Sequence, residues 1–142
     1  MKRLGIYFFF DKDGIVDKYV DYVLEDLTKH VDKLIVVCNG QLNERGRKTF
    51  EKFTGNIIVR ENKGFDVWAY KTAIDSEGWN KLIEYDEIIL MNYTIMGPVY
   101  PLKEMFDIMD KRLELDFWGI TKCFQENSPV AQQIWQCPYG YI

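Results

Sequence analysis

Short apolar runs alternate with amphipathic stretches along this chain, and the two periods do not mix. Leu4-Gly-Ile-Tyr-Phe-Phe-Phe10 is a continuous apolar run rich in β-formers, the signature of a strand buried on both faces. Asp11-Lys-Asp-Gly14 ends it. Val16, Val20, Val23, Leu24, Leu27 and Val31 then recur at the spacing of one helix face, which predicts an amphipathic helix from Asp17 to His30. Leu34-Ile-Val-Val-Cys38 reads as a second buried strand stopped by Asn39-Gly40, and Leu42 to Phe53 as a polar helix. A third strand is expected at Ile57 to Arg60. After Gly64 a third helix carries Phe65, Trp68, Ala69 and Ala73 and ends near Gly78. Tyr85 to Met91 is a fourth strand, Leu102 to Arg112 a helix, and Asp116 to Thr121 a fifth strand. From Phe124 onward there is no clear period.

Strands that alternate with helices imply right-handed βαβ units. The expected fold is α/β and Rossmann-like: a mostly parallel sheet of about five strands with helices on both faces. The 142 residues fit one domain, and no repeat or linker divides them.

In such a sheet, ligands bind at the carboxyl ends of the strands. Arg60-Glu-Asn-Lys-Gly-Phe-Asp66 is the richest such end. Gly64 permits a positive φ or a close approach to a ligand, and Asp66 is placed to cap the helix, whose free N–H groups can receive an anion. Asn39, Asn62, Asp66 and Asn92 all fall at predicted strand ends, so a shared cleft is expected. Each has a plain structural reading beside it. Asn39-Gly40 is a common turn dipeptide, Asp66 a cap, and Lys63 a solvated charge. Trp68 and Trp118 lie in apolar patterns and read as core. Asn92, at a strand tip, is hardest to explain as packing.

Composition removes several function classes. A net charge of −4 argues against a broad basic face for nucleic acid. The run from Leu4 to Phe10 is too short to span a bilayer. Cys38, Cys123 and Cys137 share no C-x-x-C spacing, so neither a disulfide framework nor a zinc site is indicated, and a reducing cytoplasm is the natural compartment. His30 is the single histidine and fits a charge near a helix C-terminus better than a catalytic base. The turn Asp11-Lys-Asp-Gly14 lacks the dinucleotide G-x-G-x-x-G, and no P-loop is present. A receiver-type regulatory domain would use Asp11, Asp13 and Lys122, but the third strand ends in Arg60-Glu61-Asn62 with no acceptor Asp.

The chain resembles the rhamnan synthesis protein F family of bacterial polysaccharide glycosyltransferases, related to the GT-A fold. The resemblance rests on Asp13-Gly-Ile-Val16, Val36-Val-Cys-Asn39, Arg60-Glu-Asn-Lys-Gly-Phe-Asp66, Asp86-Glu-Ile-Ile-Leu-Met-Asn92 with Gly97-Pro98, and Asp116-Phe-Trp-Gly-Ile-Thr121. It implies transfer of a sugar, with rhamnose from dTDP-rhamnose first in line, to a polysaccharide or lipid-linked acceptor. It implies work in the cytoplasm, at the inner face of the membrane. Phe10, Asp11 and Asn39 would line the nucleoside pocket. Asn62, Lys63, Gly64 and Asp66 would meet ribose or diphosphate, and Asn92 and Thr94 the diphosphate. Asp116 is the weak candidate for the base, against a reading as a structural cap.

Two departures from the family pattern qualify this. The family usually has Asn-Asp-Ser where this chain has Asn92-Tyr93-Thr94, so the carboxylate that would hold Mg2+ or Mn2+ is missing, and an amide and a hydroxyl are poor substitutes. Relatives also continue beyond Pro138-Tyr-Gly-Tyr-Ile142 into an acceptor half, so the chain is expected to be the donor-side part of a longer enzyme. A non-catalytic binding or scaffold domain of the same fold is the main alternative, and a receiver domain the third.

Overall fold

A computed structural model describes residues 1–120. The chain falls into two compact units, Met1–Phe106 and Asp107–Ile142. The first holds a four-stranded, all-parallel sheet: β1 (Arg3–Asp11), β2 (Lys33–Gly40), β3 (Ile57–Arg60) and β4 (Glu87–Asn92), in the order β3-β2-β1-β4. The helices are α1 (Lys18–Leu27), α2 (Glu44–Glu51), α3 (Phe65–Glu77), α4 (Trp79–Leu82) and α5 (Leu102–Met109).

β1 is central because its side chains are apolar on both faces. Leu4, Ile6 and Phe8 join Ile35 and Val37 of β2 beneath Ala69 and Ala73 of α3. Small residues at those two positions let the helix lie close to the sheet; a larger side chain there would overpack, at about 1–3 kcal/mol. On the other face, Tyr7 and Phe9 meet the ring of Phe50 from α2, the second contact edge-on at 5.3 Å. Right-handed crossovers put α1 on the α2 side, and Lys52, just past α2, reaches Asp21 of α1 at 3.0 Å. α3 then returns over the opposite face to start β4 on the far side of β1. Chain direction across the sheet therefore reverses between β1 and β4, the switch point where doubly wound sheets bind ligands. At the other end of α3, buried Glu77 pairs with Lys33 and accepts the Tyr85 hydroxyl at 3.0 Å, fixing the helix to the start of β2.

Several sequence expectations are corrected. Residues 116–120 form no strand, so the described residues contain four strands and not five; Thr121 lies outside them. Gly119 inside this short run weakens it as a strand. α1 stops at Leu27, where the Thr28 hydroxyl turns back to the Leu24 carbonyl at 2.8 Å. The third helix does end at Gly78, but α4 follows at once, a turn that the break in period concealed. Trp68 is half exposed, so it is not core. The order 3-2-1-4 is that of the dinucleotide fold and not the 2-1-3-4-5 of receiver domains, which removes the structural basis for the receiver reading. Among the described residues, no helix is long and apolar enough to cross a membrane.

Candidate functional site at the strand tips

The tips of the strands carry the polar residues that the core excludes. At β1, one carboxylate oxygen of Asp11 accepts the N–H groups of Asp13 (2.9 Å) and Ile15 (2.8 Å), folding the turn that follows. Gly14 occupies the left-handed region at φ 69°, and a Cβ there would stand 2.7 Å from the Asn43 backbone nitrogen, so only glycine fits. The Phe10 ring and Asn62 both flank Gly40 at the β2 tip.

Asn39 is fully buried, and its amide is satisfied from within. Its Oδ1 accepts Arg60 Nη1 at 2.6 Å, and its Nδ2 donates to the Phe65 carbonyl at 3.1 Å and toward Asn62 Oδ1 at 3.5 Å. Arg60 also donates to the Lys63 carbonyl at 3.0 Å. These bonds hold the turn between β3 and α3. Within it Gly64 has φ 71°, and its neighbour Phe65, a bulky residue, has φ 53°. The cap position of α3 is Gly64, with no side-chain cap. Asp66, expected to cap, stands instead inside the first turn, where a negative charge faces the positive end of the helix. Asn62 and Lys63 are exposed.

Asp66 reaches across to β4: Asn92 Nδ2 donates to its Oδ2 at 3.1 Å, and Asn92 Oδ1 accepts the Thr94 N–H at 3.1 Å. The shared cleft expected of Asn39, Asn62, Asp66 and Asn92 is not formed. Asn62 follows β3 and Asn92 ends β4, the two edges of the sheet, three strand spacings of about 4.8 Å apart. What joins them is the first turn of α3, bonded to Asn39 through Phe65 and to Asn92 through Asp66. The groups form a row across the tips and not two walls of one crevice. Asp116 is exposed and lies in the second unit.

The donor set fits a divalent cation poorly. At the β4 tip it comprises one carboxylate, Asp66, and an amide already engaged on both atoms, whereas hard cations take several oxygens with carboxylates foremost. No group of three or more His, Cys, Asp or Glu among the described residues could hold a metal. Cys38 offers no nucleophile: burial pushes its thiol up to about 12. His30 lies beyond the end of α1 with its ring 4.9 Å from that of Phe106. Desolvation lowers its pKa, against the opposing Asp26 carboxylate and with Arg3, Lys29 and Lys103 adding to the effect.

Sequence reasoning passed over two residues of this site. Arg60 reads as a strand end, although a cation closing an apolar run is a signal that its charge has a partner. Phe65 reads as a helix residue, because a left-handed φ leaves no mark in the sequence.

The profile of the family described as rhamnan synthesis protein F matches residues 34–136. The chain belongs to the rhamnan synthesis protein F family. The match begins at β2 and takes in every group of the row except Phe10 and Asp11. The family ties the chain to the making of a polysaccharide. No curated protein and no solved structure matches it.

Proposed function

We propose that this chain is the donor-binding, GT-A-like part of a glycosyltransferase of rhamnan synthesis, acting in the cytoplasm or at the inner face of the membrane. The ligand is a nucleoside-diphosphate sugar, with dTDP-rhamnose first in line, and the acceptor a polysaccharide or lipid-linked glycan. The observation that carries the reading is the Asp66–Asn92 contact beside the β1/β4 switch point, in a chain of this family. The Phe65 and Asp66 N–H groups that open α3 suit a diphosphate, whereas the next two are taken, that of Val67 by the Asp66 carboxylate at 2.9 Å and that of Trp68 by the Gly64 carbonyl at 3.1 Å; the exposed Lys63 precedes them in the turn. The Asp66 carboxylate is an acceptor for a ribose hydroxyl. Asn39 and Arg60 act behind them by holding the turn. In the transfer, an acceptor oxygen bonds to the anomeric carbon as its bond to the diphosphate breaks; the acceptor proton goes to a base, and dTDP leaves.

A second reading, binding without turnover, is favoured by Asn92-Tyr93-Thr94, where the family carboxylate is replaced. Calorimetry with dTDP and dTDP-rhamnose tests the first step: saturable dTDP binding, displaced by dTDP-rhamnose, is expected. Failure of every nucleoside diphosphate to bind would retire both readings. Binding without release of dTDP in the presence of acceptor glycan would favour the second.

A further inference from the structure

We propose that Phe65 is the platform on which the nucleobase of the donor stacks; this rests on the donor-binding reading above. Its side chain is 81% exposed, a whole aromatic ring left in water amid the polar crest of Asn62, Lys63 and Asp66. Its backbone is in the left-handed region at φ 53°, which a bulky residue adopts only at a cost. That conformation is held from below. Buried Asn39 grips the Phe65 carbonyl at 3.1 Å, and Arg60 fixes both Asn39 and the Lys63 carbonyl. Gly64 permits it by lacking a Cβ, which would meet the Trp68 ring at 2.3 Å. A turn maintained at this expense leaves a flat apolar face in solvent. The next residue, Asp66, hydrogen-bonds Asn92 in the row assigned to ribose and diphosphate. A ring beside that row meets the one flat π surface of a nucleotide, and stacking tolerates any base.

The test is calorimetry on the chain with two probes, dTDP and inorganic pyrophosphate, supported by melting curves. Base–aromatic stacking corresponds to a loss of roughly 5- to 150-fold in affinity on truncation. Phe65→Ala is therefore expected to weaken dTDP at least about fivefold within that range while leaving pyrophosphate unchanged. Phe65→Trp should bind dTDP as the wild type does. Phe65→Gly relieves the backbone, so its melting temperature should rise while its dTDP affinity falls as in Phe65→Ala; this separates strain from stacking. If Phe65→Ala binds dTDP as tightly as a wild type that does bind it, the platform is refuted and the donor reading stands. Equal weakening of pyrophosphate would mean that Phe65 acts only through the turn, and would also refute it. If the wild type binds neither probe, the donor reading fails and this inference with it.

Discussion

The side-chain amide of Asn92 donates to the carboxylate of Asp66 across 3.1 Å, so the end of β4 and the first turn of α3 share one polar contact. α3 leaves from one edge of the sheet and β4 forms the other, so this bond pulls the turn over the tips between them. Asp66→Ala would leave the Asn92 amide without its acceptor and remove the group assigned to a ribose hydroxyl. Binding of dTDP should weaken by about 1–3 kcal/mol, with a loss of folding stability near 1 kcal/mol because the contact is half-buried. Calorimetry and thermal melts report the two separately.

The poor fit for a cation makes metal dependence a sharp readout. Binding of dTDP should change little when Mn2+ is added. Replacing Tyr93 is the direct way to place a carboxylate between Asn92 and Thr94, but its ring packs edge-on against Phe8 and Phe9 at 5.6 and 5.7 Å, and its carbonyl accepts the Tyr19 hydroxyl. Tyr93→Asp should therefore cost about 3–5 kcal/mol of stability, the scale of losing a packed aromatic. Thr94 is exposed and its backbone bonds Asn92. Thr94→Asp should keep the fold and make dTDP binding respond to Mn2+. An unresponsive Thr94→Asp that still binds dTDP would show that the tip cannot assemble a metal site.

Asn39 offers a test of the turn. Its amide joins Arg60, Phe65 and Asn62 while fully buried. Asn39→Ala would leave the half-buried Phe65 carbonyl and one Arg60 donor without their partner, at about 0.5–1.5 kcal/mol for each bond lost. Urea unfolding should show that loss, and proteolysis should quicken between Arg60 and Gly64.

The sheet was legible because β1 and β2 are apolar runs bounded by Asp11 and Gly40, a pattern set by burial on two faces. The order of the strands was not, since it depends on which edge of β1 accepts β4. For the site, the residue types at the tips could be read but their partners could not. Asn39 looked like a turn residue, yet its side chain points into a buried network that only the register Phe10–Asn39–Arg60 creates. Asp66 looked like a cap, because Gly64 gives no sign in sequence of taking that position itself. The fifth strand failed for the opposite reason: Asp116 to Ile120 has the local composition of a strand, and local composition alone does not make one.

His30 makes the stability of the fold depend on pH in a window that no other histidine shares. Its Nε2 is buried with no hydrogen-bond partner, and its ring lies against Phe106, over which the Arg3 guanidinium also sits at 4.6 Å. Desolvation lowers the pKa, and Arg3, Lys29 and Lys103 lower it further. Asp26 opposes them, but its carboxylate is already engaged by the Leu102 N–H and by Lys29. The folded protein thus takes up this proton less readily than the unfolded chain, whose histidine titrates at about 6.5. Between the two pKa values the unfolded state binds more protons, so stability rises with pH there. The full contribution is present above about pH 6.5 and is lost as pH falls through the folded pKa. Glu77, whose pKa its bond to Lys33 lowers, titrates below the ordinary carboxylate range and adds its loss only in stronger acid. Melting temperature should therefore decline from pH 7.5 to pH 5.5 in the wild type. In His30→Phe, which keeps a ring against Phe106, the decline over that interval should disappear; an identical decline in both proteins would place the titrating group elsewhere.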